Sequence, residues 1–116
     1  MIEALVQAVF AIDEAVRYVA VRRGPHLLQR QRAGLCDASA TESDRYEELL
    51  VNPTLLTLAT ARGDIDCGGT RYLLVRYGNF FQLILPRSEG HLSVCIEASA
   101  DALRIADAVQ AASAAF

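Results

Sequence analysis

TRYLLVRYGNFFQLILP, residues 70–86, decides how the chain is read. It resolves into two strands, 70–77 and 80–86, joined by Gly78-Asn79, a two-residue link of the kind that primed hairpin turns favour. In the first strand Tyr72, Leu74 and Arg76 share one face, and Leu73, Val75 and Tyr77 share the other. A strand with one wet face alternates apolar with polar. This one is apolar or aromatic on both sides, so something is expected to cover each face.

Outward from the hairpin, "PRSEG" turns the chain and HLSVCIEA, residues 91–98, alternates. Leu92, Val94, Ile96 and Ala98 fall on one side; His91, Ser93, Cys95 and Glu97 fall on the other. Ser99 is placed to cap an Ala-rich closing helix, with Asp101 in its first turn, where the dipole favours an acid. Toward the N-terminus, "DIDCGG" reads as a turn ending a helix. PTLLTLATARG, from Pro53 to Gly63, is that helix, with Asn52 as its cap and Gly63 as its stop. Pro53 separates it from, or kinks it against, DRYEELL, a helical piece with Ser43 as cap. The stretch "AGLCDASATESD" before it is a loop of small and polar residues. Ala15–Arg23 and His26–Arg32 form a first hairpin through Gly24-Pro25, and Ile2, Leu5, Val6, Val9 and Phe10 make the apolar stripe of an opening helix. The order is helix, two strands, helix, three antiparallel strands, helix. A five-stranded sheet with helices on both faces packs these elements.

The 116 residues are expected to form one domain, 1–116, burying about two-thirds of the surface the unfolded chain exposes. The longest uncharged run in the middle of the chain, Leu49–Ala61, falls short of the roughly 18 apolar residues a membrane span needs, and Glu3 stands where an export signal carries a base. Three well-separated cysteines, Cys36, Cys67 and Cys95, suit free thiols in a reducing, cytoplasmic setting. All eleven basic residues are arginine. Without lysine the chain can be neither a P-loop nucleotide hydrolase nor a Schiff-base enzyme.

Little else in the sequence carries chemistry. "DIDCGG" opens like a calcium loop, but its twelfth position is Val75, so the bidentate acid is missing. No two of Cys36, Cys67, Cys95, His26 and His91 are close enough to chelate, and no metal or cofactor is expected. Cys95 shares a side with His91, which raises a thiol nucleophile; a small buried cysteine is the plainer reading. Glu42, Asp44, Glu47 and Glu48 read as a solvated helix terminus. Arg17, Arg22, Arg23, Arg30 and Arg32 cluster on the first hairpin with no acid between Glu14 and Asp37, against a net charge of −3. That patch suits an acidic partner or edge protection. Nucleic acid is disfavoured by the overall acidity and by the lack of interleaved aromatics, Tyr18 being the nearby one.

The element order and spacing, carried most by YLLVRYGNFFQLILP, EGHLSVCIEASAD and IADAV, resemble the roadblock family of dynein-light-chain type, whose bacterial members regulate small Ras-like GTPases. The resemblance implies a roadblock/profilin-like α+β fold with strand order 2-1-5-4-3, no enzymatic activity and no cofactor. It also implies a homodimer made by pairing third strands and middle helices. The interface residues would be Tyr72, Leu74 and Arg76 of the strand and Leu55, Leu56 and Leu58 of the helix. Arg22, Arg23, Arg30 and Arg32 are candidates for meeting a GTPase. In that strand order the second and third strands are the edges: "HLLQRQR" is guarded by charge and amide groups, "RYLLVRY" hardly at all, which suits pairing with a copy. A central strand of some other topology is the alternative for residues 70–77. A profilin-like module of PAS or GAF type, holding a small ligand between sheet and helices, is the alternative function. The small-residue closing helix speaks against it, and a pocket of several hundred Å³ lined by aromatics would favour it.

Overall fold

The computed structural model describes residues 2–33 and 41–116. Helix α1 (Ile2–Phe10) leads into β1 (Val16–Arg23) and β2 (His26–Gln31). A middle helical run follows, made of α2 (Thr41–Tyr46), a π-turn (Glu47–Val51) and α3 (Asn52–Asp66). Then come β3 (Leu73–Arg76), β4 (Phe80–Arg87), β5 (Gly90–Glu97) and α4 (Ala102–Ser113). The five strands form one antiparallel sheet in the order β2-β1-β5-β4-β3. Residues 71–77 therefore lie at an edge, with β4 on one side and no strand of the described chain on the other.

Register turns the strand sequences into two unlike faces. Val19 stands beside Val94, which stands beside Leu83; Val21, Leu92 and Leu85 form the next such row. These residues, with Ile96, meet Leu5, Val6 and Val9 of α1 and Ile105, Ala106 and Val109 of α4 in one apolar core. On the reverse face the rows are Tyr18–Cys95–Gln82 and Ala20–Ser93–Ile84, and the middle helical run packs there. The alternation expected for β5 holds, and both of its sides are covered.

The middle run differs from the sequence reading in physical detail. It is continuous rather than two separate pieces, and Pro53 is accommodated by the π-turn. Asn52 N–H reaches back to the Glu47 carbonyl, five residues earlier. The wider turn sits where a proline ring would crowd the carbonyl four residues before it. Asn52 is helical rather than a cap, and its side chain turns in toward the sheet. Helix α2 already runs from Thr41, so residues 41–44 are helical and Ser43 lies inside the first turn; Cys36 and the rest of that loop lie outside the described residues.

Gly63 does not stop α3, which continues to Asp66. A Cβ at Gly63 would meet Thr70 Oγ1 at 2.9 Å and the Gly69 backbone at 3.1 Å, so this glycine makes room for the returning chain. Gly68 and Gly69, both at positive φ, turn the chain instead. The third strand is shorter than expected, beginning at Leu73; β4 opposite residues 70–72 runs into Pro86, which has no N–H for a ladder. Neither Gly78 nor Asn79 adopts the left-handed conformation a primed turn requires. The cap of α4 is Asp101, whose carboxylate accepts from Arg104 N–H at 3.2 Å, not Ser99.

Candidate interaction surface and the buried cluster beneath it

Of the two edges of the sheet, the one at β3 is four residues long. Leu74 and, just ahead of the strand, Tyr72 are half-buried against the α1/α4 core, and the Tyr72 hydroxyl donates to Asp107 Oδ1 at 3.3 Å. Leu73 and Val75, opposite Ile84 and Gln82, look the other way, toward the middle run. Arg76 is exposed, its guanidinium 5.0 Å above the Phe81 ring and bonded to the Tyr77 carbonyl. Charge at this edge is thus confined to its two ends, Arg71 and Arg76.

The middle run presents a second unguarded feature. Leu56 is buried and Leu55 half-buried, but Leu58 is 66% exposed. Tyr46, Leu49, Leu50 and Ile65 are also exposed, at 61%, 43%, 50% and 74%. Tyr46, Leu50, Leu58 and Ile65, with Thr54 and Ala61 between them, recur at helical spacing along one outward side. Sequence reasoning named Leu58 and missed the other four. A period counted across Pro53 loses its phase there, because the π-turn inserts a residue. Tyr77, just past β3, ties strand edge to helix by donating its hydroxyl to Glu47 Oε1 at 3.5 Å.

Beneath the run lies a polar cluster that the sequence did not reveal. Glu48 is 1% exposed, not part of a solvated helix terminus. The π-turn points it at the sheet, where Oε2 accepts from Tyr18 Oη at 2.9 Å, and Oε1 contacts Asn52 Nδ2 at 3.0 Å and His91 Nε2 at 2.8 Å. Ser93 Oγ accepts from Gln82 Nε2 at 2.5 Å and from Asn52 Nδ2 at 3.3 Å. Gln29 Nε2 donates to Tyr18 Oη at 3.0 Å. Cys95 Sγ donates to Gln82 Oε1 at 3.2 Å. Burial, then the Glu48 charge, pushes the Cys95 thiol well above its ordinary range, which removes the thiolate a nucleophile would need. The side of β5 carrying His91, Ser93 and Cys95 is therefore the floor of a hydrogen-bonded layer.

Beside this cluster a cleft of about 420 Å³ opens between the run and the sheet, lined among others by Tyr18, Asp44, Glu47, Glu48, Tyr77 and Phe80. Burial, then the Glu48 charge, raises the Glu47 carboxyl above the ordinary range; burial and Glu48 do the same for Asp44. A carboxyl whose folded pKa is raised favours the folded state while protonated, and that contribution is lost as pH rises through the folded pKa. Glu47→Gln is therefore expected to stabilise the protein at pH 7 by a fraction of a kcal/mol, solvent keeping the effect small. The gain should vanish below about pH 4, where both proteins are neutral at this site. Paired urea titrations at the two pH values check it, and an equal gain at both removes the electrostatic explanation.

The hairpin arginines separate into two kinds. Arg32 is a clamp: Nε donates to the Val16 carbonyl at 2.7 Å, and Nη2 to the carbonyls of Phe10 and Asp13 at 2.9 and 3.0 Å, with the guanidinium 5.3 Å above the Phe10 ring. Arg22, Arg23 and Arg30 keep free donors: Arg22 Nε bonds the Gly24 carbonyl at 3.3 Å, while Arg23 and Arg30 form open surface pairs with Glu89 and Glu3. Asp64 and Asp66 are helical, Asp66 pairing with Arg62, so "DIDCGG" makes no calcium loop. Among the described residues no group of three or more His, Cys, Asp or Glu could hold a metal, and no helix is long and apolar enough to cross a membrane.

No protein-family model matches the chain, and no curated protein matches it in sequence. Solved structures do. A roadblock/LC7 domain from Streptomyces avermitilis superposes with a TM-score of 0.69 at 16% identity, over 97% of this chain and 91% of that one. MglC from Myxococcus xanthus gives 0.62 at 12% identity, over 97% and 93%. The gliding protein MglB from Thermus thermophilus gives 0.61 at 10%, over 98% and 89%. The chain thus has the roadblock/LC7 fold, as the resemblance in its sequence implied, and at these identities the likeness speaks for the fold alone.

Proposed function

We propose that this roadblock/LC7-fold chain is a non-enzymatic, dimeric adaptor, and that its partner is a small Ras-like GTPase. The observation that carries the dimer is the coincidence of an unpaired strand edge, Leu73–Arg76, with an uncovered apolar stripe on the neighbouring helix. An open edge invites strand addition, and an exposed apolar stripe invites burial; a two-fold axis beside β3 satisfies both with one self-complementary surface. Leu74, Arg76, Leu55 and Leu58 would lie in or beside that seam, with Tyr72 and Leu56 bracing it from within. The GTPase reading rests on the fold and on the likeness to MglB and MglC, and such a partner would put the chain to work in the cytoplasm. Arg22, Arg23 and Arg30 offer that partner an acid-seeking patch; Arg32, spent on backbone carbonyls, does not.

The test uses Leu50→Glu/Leu58→Glu, since both side chains are exposed and their loss spares the core. Wild type is expected to sediment as a dimer at about 50 µM and the variant as a folded monomer, a weakening of at least about 100-fold. Capture of a small GTPase, identified by mass spectrometry, should fall with it. A monomeric wild type, or a variant that still dimerises, overturns the reading. A ligand-sensing module remains the second reading because the cleft beside Tyr77 and Phe80 has the size and part of the aromatic lining it requires.

A further inference from the structure

The opposite layer of the molecule holds a recess that dimerisation through β3 would leave untouched. It lies where α1 begins and α4 ends, against the turns that close the sheet, and has a volume of about 330 Å³. Its apolar lining includes Leu5, Val21 and Phe116, and Arg23 and Arg87 line its polar side; Arg22 also borders it but alternates with His91 onto the other face of the sheet. The register accounts for the gathering: Arg23 and Arg87 both stand opposite Gly90, at the same end of β1, β4 and β5. Two strand ends, those of β1 and β4, thus bring cations from distant parts of the sequence to one mouth.

Those cations are only partly neutralised. Arg87 Nη1 donates to the Ser113 carbonyl at 3.2 Å, leaving further N–H donors. Arg23 faces Glu89 at 3.9 Å, with both side chains about two-thirds exposed, a weak surface pair. Glu3, in the first turn of α1, pairs instead with Arg30. The positive end of the α1 dipole adds to the same field. Guanidinium forks match phosphate oxygens two at a time, and the apolar wall matches a compact carbon body.

We propose that this recess binds a small phosphorylated molecule, its phosphate held by Arg23 and Arg87 and its apolar body against Leu5, Val21 and Phe116. The site is separate from the proposed dimer seam but shares Arg23 with the patch proposed for the GTPase; a titration of the chain alone reads the recess apart from either.

Phenyl phosphate is the probe, titrated to about 10 mM at low salt and followed by amide chemical shifts, with inorganic phosphate and benzoate as parallel arms. The expected result is saturable movement of the Leu5, Val21 and Ser88 amides, with phosphate alone at least about fivefold weaker because it lacks the apolar body. Benzoate is expected to be weaker too, having a single charge and two oxygens. Arg87→Gln should weaken phenyl phosphate about tenfold; because Arg87 also bonds the end of α4, the exposed Arg23→Gln is the second variant, with an expected loss of about fivefold. Absence of saturable shifts in this region, equal affinity for phosphate and phenyl phosphate, tighter binding of benzoate, or affinity unchanged in both variants would each overturn the proposal.

Discussion

Glu48→Ala is expected to lower the free energy of unfolding by about 3–5 kcal/mol, the cost typical of removing one member of a buried, hydrogen-bonded charged group. Three donors lose their acceptor together. Tyr18 Oη and Asn52 Nδ2 stand 2.9 and 3.0 Å from the carboxylate, and His91 Nε2 is 2.8 Å away. All three residues are buried, so water cannot easily replace what is lost. Asn52 Oδ1 is already a buried acceptor with no partner, so the layer has little slack. Glu48→Gln keeps one acceptor oxygen and most of the volume, and should cost less, about 1–2 kcal/mol. Glu42→Ala, on the exposed side of α2, should stay within about 0.5 kcal/mol. Urea unfolding followed by far-UV dichroism separates the three. A loss below about 1 kcal/mol for Glu48→Ala would mean that the carboxylate is not what holds the middle run to the sheet.

The hairpin at 70–86 and the alternation of β5 were legible because each obeys a local period: two for strands, with a turn signal between them. Edge position followed from the strand order that the family resemblance implied, and the contrast between "HLLQRQR" and "RYLLVRY" agreed with it. The middle run resisted for a physical reason. Pro53 marks a break in the helix period, but the sequence does not say whether the chain stops, kinks or widens there; it widens, and that phase change carries Glu48 inward and leaves Leu49 and Leu50 outside. Acids at the start of a helix ordinarily sit in solvent, so Glu48 looked like its neighbours. Its partners Tyr18 and His91 are 30 and 43 residues away along the chain. The register that makes them a floor is a tertiary fact.

Glycines show the same divide, and they supply the second large effect. Gly90→Ala is expected to cost at least about 3 kcal/mol, beyond ordinary overpacking because the obstacle is backbone. A Cβ at Gly90 would fall 1.9 Å from the Arg22 carbonyl oxygen and 2.6 Å from its carbon, with the Arg23 nitrogen at 3.3 Å. No rotamer change relieves that contact; the end of β1 must move away from β5, opening the rows that carry His91 and Leu92. Gly78, the glycine that drew attention in the sequence, is the contrast. Nothing lies within 4 Å of its Cβ position and its φ is not positive, so Gly78→Ala should be neutral or stabilise by up to about 1 kcal/mol through the unfolded chain. Thermal and urea unfolding of the two single variants test the pair. Because Arg22, Arg23 and Arg87 flank Gly90, residual folded Gly90→Ala protein should also show shifted amides around the arginine recess, while Gly78→Ala leaves them in place. A Gly90→Ala protein as stable as wild type would show that β1 and β5 do not approach as closely at this end as the register requires.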